Sequence, residues 1–126
     1  MYNISISKKI IAQHYLTHEK GREHTLHSHQ YKIQIILSGD KLNKYGFLID
    51  IIDVNKIFNN ILENFNDQNL NEIQEFKNKT TSIENLSKII YNRFIQQLKE
   101  PNIISVEIKI WENENNWASY KGDIID

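Results

Sequence analysis

Between about positions 27 and 38 the chain alternates more cleanly than in its first segment, and this alternation constrains the fold more than any other stretch. His27, His29, Tyr31, Ile33, Ile35 and Leu37 fall on one side, while Ser28, Gln30, Lys32 and Gln34 fall on the other. A period of two with one apolar and one polar face is that of a half-buried antiparallel strand. Such a strand requires partner strands and a layer of structure over its apolar face. The segment at about 2–14 supplies one partner, with Ile4, Ile6, Ile10, Ala12 and His14 on a common face. Between the two strands, Thr17 to Leu26 is a polar loop containing a turn-forming Gly21.

Beyond Gly46-Phe47-Leu48-Ile49-Asp50 the period changes. Val54, Ile57, Phe58, Ile61, Leu62 and Phe65 recur at helical spacing, with Asp53 in position to cap the start. A second helix is expected from Thr81-Ser82-Ile83-Glu84, which has the form of a capping box. Its apolar face is Leu86, Ile89, Ile90, Phe94 and Leu98, and Pro101, the only proline, follows its end. Ile104, Val106, Ile108 and Ile110 then alternate as a third strand whose same-face successor is Glu112. Asn113 to Asn116 supplies a turn, and Trp117 to Lys121 reads as the returning strand. The order ββααββ predicts an α+β domain over 1–126, a four-stranded antiparallel sheet with two helices on one face.

Composition narrows the chemistry. The chain has 126 residues and no cysteine, so disulfides, thiolate ligands and a cysteine nucleophile are excluded. Side-chain metal ligands are then His, Asp and Glu. A net charge of −1 gives no electrostatic footprint for nucleic acid or an anionic membrane. No apolar run approaches the roughly 20 residues that span a bilayer. The amino terminus lacks the pattern of a signal peptide, so a cytoplasmic protein is expected.

All five histidines lie between positions 14 and 29. His27 and His29 project from one strand face, roughly 7 Å apart at Cβ, and can converge on one ion. His14, at the end of the neighbouring strand, can supply a third nitrogen. Three neutral nitrogens with an open position suit a catalytic zinc site. The same spacing also fits packed core histidines or a surface pair. His18 and His24 read as surface residues of the loop. Glu112 is the second informative side chain, because burying an unpaired carboxylate is costly. Either its strand end is exposed, or it accepts hydrogen bonds from a planar ligand with adjacent N–H donors.

These motifs resemble the family of 6-pyruvoyl- and 6-carboxy-tetrahydropterin synthases. The resemblance rests on His14, on His27-Ser28-His29 where the family has His-Gly-His, and on Gly46 to Asp50 before the first helix. It continues through Ser82-Ile83-Glu84-Asn85-Leu86 and Ile110-Trp111-Glu112, then Asn115-Asn116 and Tyr120-Lys121-Gly122. It implies a T-fold that assembles as a homotrimer or homohexamer with active sites at subunit interfaces. It further implies Zn2+ on His14, His27 and His29, a pterin ring held by Glu112 with Ser82 beside it, and 7,8-dihydroneopterin triphosphate as substrate.

The chain departs from the family at its catalytic residues. The usual cysteine lies four residues before the histidine pair, where this chain has Glu23. The usual Asp-His dyad falls on Asn66-Asp67 or, with a one-residue gap, on Asp67-Gln68. A variant with glutamate for cysteine is associated in the family with cleavage to 6-hydroxymethyl-7,8-dihydropterin, a folate precursor, and Glu23 resembles that replacement. Glu23 is otherwise a solvated loop carboxylate. Asp67 and His24 are further candidate proton carriers, and Lys20 and Arg22 lie near the motif. Three readings follow: side-chain cleavage through Glu23, a 6-pyruvoyl or 6-carboxy product as in the biopterin or queuosine routes, and a pterin-binding protein without turnover.

Overall fold

The computed structural model describes residues 1–17 and 21–124, and for Gly21 and Arg22 it describes the backbone alone. The expectations for His18, Lys20 and the Arg22 side chain therefore lie outside the described residues. Four strands, β1 (Tyr2–His14), β2 (His27–Gly39), β3 (Ser105–Trp111) and β4 (Trp117–Asp123), form one sheet in the order β1-β2-β3-β4. Every neighbouring pair is antiparallel. Between β2 and β3 run two helices, α1 (Ile51–Glu63) and α2 (Ile83–Gln97). The order is ββααββ, as the alternation and helical periods predict.

The register explains the core. Ile6, Ile35, Ile108 and Tyr120 stand in one row across the four strands, and Ile4, Leu37, Val106 and Gly122 in another. The side chains of these rows meet Val54, Phe58, Ile61 and Leu62 of α1 and Leu86, Ile90 and Phe94 of α2 in one apolar cluster. Fully burying a side chain of this size stabilises the fold by about 1.5–3 kcal/mol. The other face carries Lys32, Gln34 and Lys109, with Ile11, Ile36 and Trp111 among them. Among the described residues no helix is long and apolar enough to cross a membrane.

Helix starts differ from expectation. The α1 cap is Asp50, whose Oδ1 accepts from the Ile52 amide at 2.9 Å. Asp53 lies in the first turn instead, where its charge still favours the helix N-terminus. At α2, Ser82 is the cap, with Oγ accepting from the Asn85 amide at 3.1 Å. Thr81 is buried, and its hydroxyl donates to the Tyr15 carbonyl at 3.3 Å. The cap therefore falls one residue later than the Thr81–Glu84 box, because tertiary contact with the segment after β1 claims Thr81. β3 ends at Trp111, and Glu112, the next residue, is half-buried.

Candidate metal centre

Strand register pairs His14 directly with His27, and Ala12 with His29. All three imidazoles rise from the inner face, with ring centroids 4.6 Å (His14–His27), 5.0 Å (His14–His29) and 4.8 Å (His27–His29) apart. The loop between the strands folds a 3-10 turn over Gly21–His24. The Leu16 amide donates to the Glu23 carbonyl at 2.8 Å, which closes that turn toward β1. The Glu23 carboxylate then lies 3.3 Å from Nε2 of His27. One ligand atom from each of His14, Glu23, His27 and His29 falls within 4.8 Å of all the others.

The hydrogen bonds fix which nitrogens face this point. Nδ1 of His14 donates to the Thr81 carbonyl at 2.9 Å, and Nδ1 of His27 donates to the Thr25 carbonyl at 2.7 Å. Each ring thus turns its Nε2 lone pair inward, the arrangement by which metal-ligating histidines are held through the other ring nitrogen. Nε2 of His14 is buried without a hydrogen-bond partner among the described residues. Nε2 of His27 and Nε2 of His29 stand 3.1 Å apart. Two donors on a tetrahedral zinc at 2.0–2.1 Å are about 3.3 Å apart. The spacing, the orphaned nitrogen and the fixed tautomers fit a cation of that kind.

Burial lowers the pKa of His14 below the usual histidine value, and the neighbouring His27 and His29 act in the same direction. The bond to Thr81 and the charge of Glu23 oppose that shift in part. The neutral imidazole, the form that binds a metal, is therefore favoured. Tyr31 follows His29 on the same face, with ring centroids 5.6 Å apart. Burial pushes its phenol above the ordinary value, and the Glu112 and Glu23 carboxylates add to the effect.

A cleft of about 550 Å³ opens over the cluster, lined by His14, Glu23, His29, Ser82, Glu112 and Asn113 among others. Of the residues expected at the site, this cleft gathers Glu23, Ser82, Glu112 and two of the three histidines. The third, His27, joins through its contacts with His29 and Glu23. His24 is exposed, outside both the cluster and the lining. Asp67 is also outside them. Its amide donates to the Ile11 carbonyl at 2.6 Å, while Asn66 Oδ1 accepts from the Ile11 amide at 3.0 Å. Those bonds commit the segment to the outer edge of β1. The Thr81 and Thr25 carbonyls that orient the histidines were not legible in the sequence, because a backbone oxygen carries no residue signal.

Residues 3–123 match the family described as 6-pyruvoyl tetrahydropterin synthase. The 6-pyruvoyl tetrahydrobiopterin synthase of Dictyostelium discoideum is 29% identical over 99 residues, covering 77% of this chain and 71% of that one. The structure of the Caenorhabditis elegans 6-pyruvoyl tetrahydropterin synthase superposes with a TM-score of 0.84 at 19% identity, over 96% of this chain and 95% of that one. A Plasmodium vivax 6-pyruvoyltetrahydropterin synthase, described as a mutant in which a catalytic glutamate is replaced by cysteine, gives 0.80 at 16% identity over 98% of both chains. With its T-fold sheet, its helix order and a family match over nearly its whole length, the chain belongs to the 6-pyruvoyl tetrahydropterin synthase family.

Proposed function

We propose that the chain is a zinc-dependent lyase acting on 7,8-dihydroneopterin triphosphate and cutting its side chain to 6-hydroxymethyl-7,8-dihydropterin. The observation that carries this reading is the Glu23 carboxylate, 3.3 Å from His27 Nε2 inside the histidine cluster. Zinc held by His14, His27 and His29 would supply Lewis acidity toward the side-chain hydroxyls. Glu23 accepts the proton of the hydroxyl on the second side-chain carbon. As that oxygen becomes a carbonyl, the bond between the first and second side-chain carbons breaks. Its electron pair passes into the pterin ring system and is later protonated at the first carbon, releasing a two-carbon aldehyde that carries the phosphates.

Glu112, on the lining of the cleft, accepts hydrogen bonds from the amino-pyrimidine edge of the ring, and its charge strengthens them. The Ser82 hydroxyl, on the same lining, retains a proton to donate while its oxygen caps α2. The catalytic glutamate named for the Plasmodium vivax protein is consistent with a carboxylate in the Glu23 role. We further propose a homotrimer or homohexamer. Among the described residues β1 pairs on its outer side only near Gln13, and β4 is the other edge of the sheet; such edges present unpaired backbone groups that can template pairing with another chain. In such an assembly Asp67, on that β1 edge, borders a neighbour and carries protons there, whereas His24 would act only from the exposed turn.

The name of the Dictyostelium relative favours a second reading, with a 6-pyruvoyl product. Incubating the zinc-loaded protein with 7,8-dihydroneopterin triphosphate and identifying the pterin separates the outcomes. 6-Hydroxymethyl-7,8-dihydropterin supports cleavage through Glu23. A 6-pyruvoyl or 6-carboxy product supports the second reading. Binding without conversion would make the chain a pterin-binding protein and overturn both.

A further inference from the structure

A second cleft of about 530 Å³ abuts the first, and the two share Leu16 and Thr80 as a common wall. It is lined by Thr17, Asn71, Thr81 and the turn Lys77-Asn78-Lys79. Asn78 adopts a left-handed φ of 63°, and the Lys79 amide closes the turn by donating to the Phe76 carbonyl at 2.8 Å. This reversal lets two lysines separated by one residue line the same cleft. Glu75, the carboxylate that feels the charge of Lys79, is held by Arg93 through bonds of 2.6 and 2.5 Å. Its charge is thereby committed elsewhere.

The order of the clefts matters. Of these two clefts, Glu112 and Asn113 line the histidine cleft alone, and Leu16 and Thr80 line both. Glu112 does not line the lysine cleft. A ligand with its planar head at Glu112 and its hydroxylated carbons at the histidines would have its far end directed past Leu16 and Thr80. There it meets Lys77 and Lys79, with Thr17 and Asn71 beside them. Exposed lysines attract an anion most when several converge, and added salt weakens the attraction.

We infer that the lysine cleft is the phosphate subsite of this protein, with Lys77 and Lys79 contacting the phosphorylated end of the side chain. This assignment rests on the pterin reading above. It makes the phosphate chain a determinant of substrate choice, so a dephosphorylated pterin would occupy the histidine cleft alone.

Two probes keep the subsite and the pterin reading separable. Calorimetric binding of 7,8-dihydroneopterin and of its triphosphate is compared between the zinc-loaded full chain and the Lys77→Ala/Lys79→Ala variant, with inorganic tripolyphosphate as a third ligand. Wild type should prefer the triphosphate, and in the double variant that affinity should fall about tenfold or more. Affinity for 7,8-dihydroneopterin should stay the same, tripolyphosphate binding should disappear, and Lys77→Arg/Lys79→Arg should restore both phosphate ligands. Equal wild-type affinities for the two pterins, or undiminished tripolyphosphate binding in the alanine variant, would overturn the subsite. Failure of either pterin to bind, with tripolyphosphate binding still lost in the variant, would overturn the pterin reading and leave an anion site.

Discussion

Oε2 of Glu23 lies 3.3 Å from Nε2 of His27, four residues further along the chain. The 3-10 turn over Gly21–His24 creates this approach, so the carboxylate comes from the connection between β1 and β2 rather than from a strand. At that distance Glu23 can serve either as a fourth ligand or as a base that a substrate oxygen displaces. Glu23→Gln separates the two. As a base, the variant should keep stoichiometric zinc and lose about 10²–10⁴ in turnover. Loss of zinc on dialysis would mark it as a ligand instead.

His27 shares the centre of the cluster with His14 and His29. His27→Ala should lose bound zinc, measured by metal analysis after gel filtration. In wild type, zinc at a hundredfold excess over its dissociation constant should stabilise the fold by about 2.7 kcal/mol, and the variant should show no such shift. Stoichiometric zinc in His27→Ala would exclude the histidine triad.

Glu112 lies past the end of β3 and borders both the histidine cleft and the cleft containing Lys9, Lys32 and Trp111. Glu112→Ala should weaken pterin binding by about 1.5–3 kcal/mol, the scale of hydrogen bonds to a charged group. Zinc content should not change. Unaltered pterin affinity would remove Glu112 from the ring site.

Arg93 grips Glu75 with two bonds and lies over the Phe65 ring, 4.6 Å from its centroid. The guanidinium holds the Glu75 carboxyl below the usual glutamate value. Its contribution to stability is therefore complete above the unfolded value near 4.5 and is lost as pH falls from there through the lower folded value. Because the pair is partly solvent-screened, Glu75→Gln should cost only about 0.5–1 kcal/mol at pH 7. Urea melts of both proteins should converge as pH falls below 4. A constant difference across that range would assign the effect to packing.

Gly122 on β4 faces Tyr91 of α2. A Cβ there would stand 2.6 Å from Cζ of Tyr91 and nearer still to its hydroxyl. Gly122→Ala should destabilise by about 1–3 kcal/mol, since α2 and the sheet must separate. Adding Tyr91→Phe should recover part of that loss, and thermal melts of the single and double variants would reveal it. Purely additive effects would show that the two side chains do not meet.

The sequence by itself determined the sheet and the facing of the histidines. A period of two places His27, His29 and Tyr31 on the apolar side of β2 in any register that buries Ile33 and Ile35, because a one-residue slip would expose them all. Helical period likewise located both helices, although α1 is capped at Asp50 rather than Asp53 and a tertiary contact moved the cap of α2. Pairing His14 with His27, rather than with a residue further along, required the strands to be docked. So did the tautomers, which are set by the carbonyls of Thr81 and Thr25. The approach of Glu23, the attachment of Asp67 to the edge of β1, and the joining of the histidine and lysine clefts also belong to tertiary structure. These features join residues distant in sequence or brought together by an irregular turn, where no periodic pattern acts, and only the packed backbone fixes their distances.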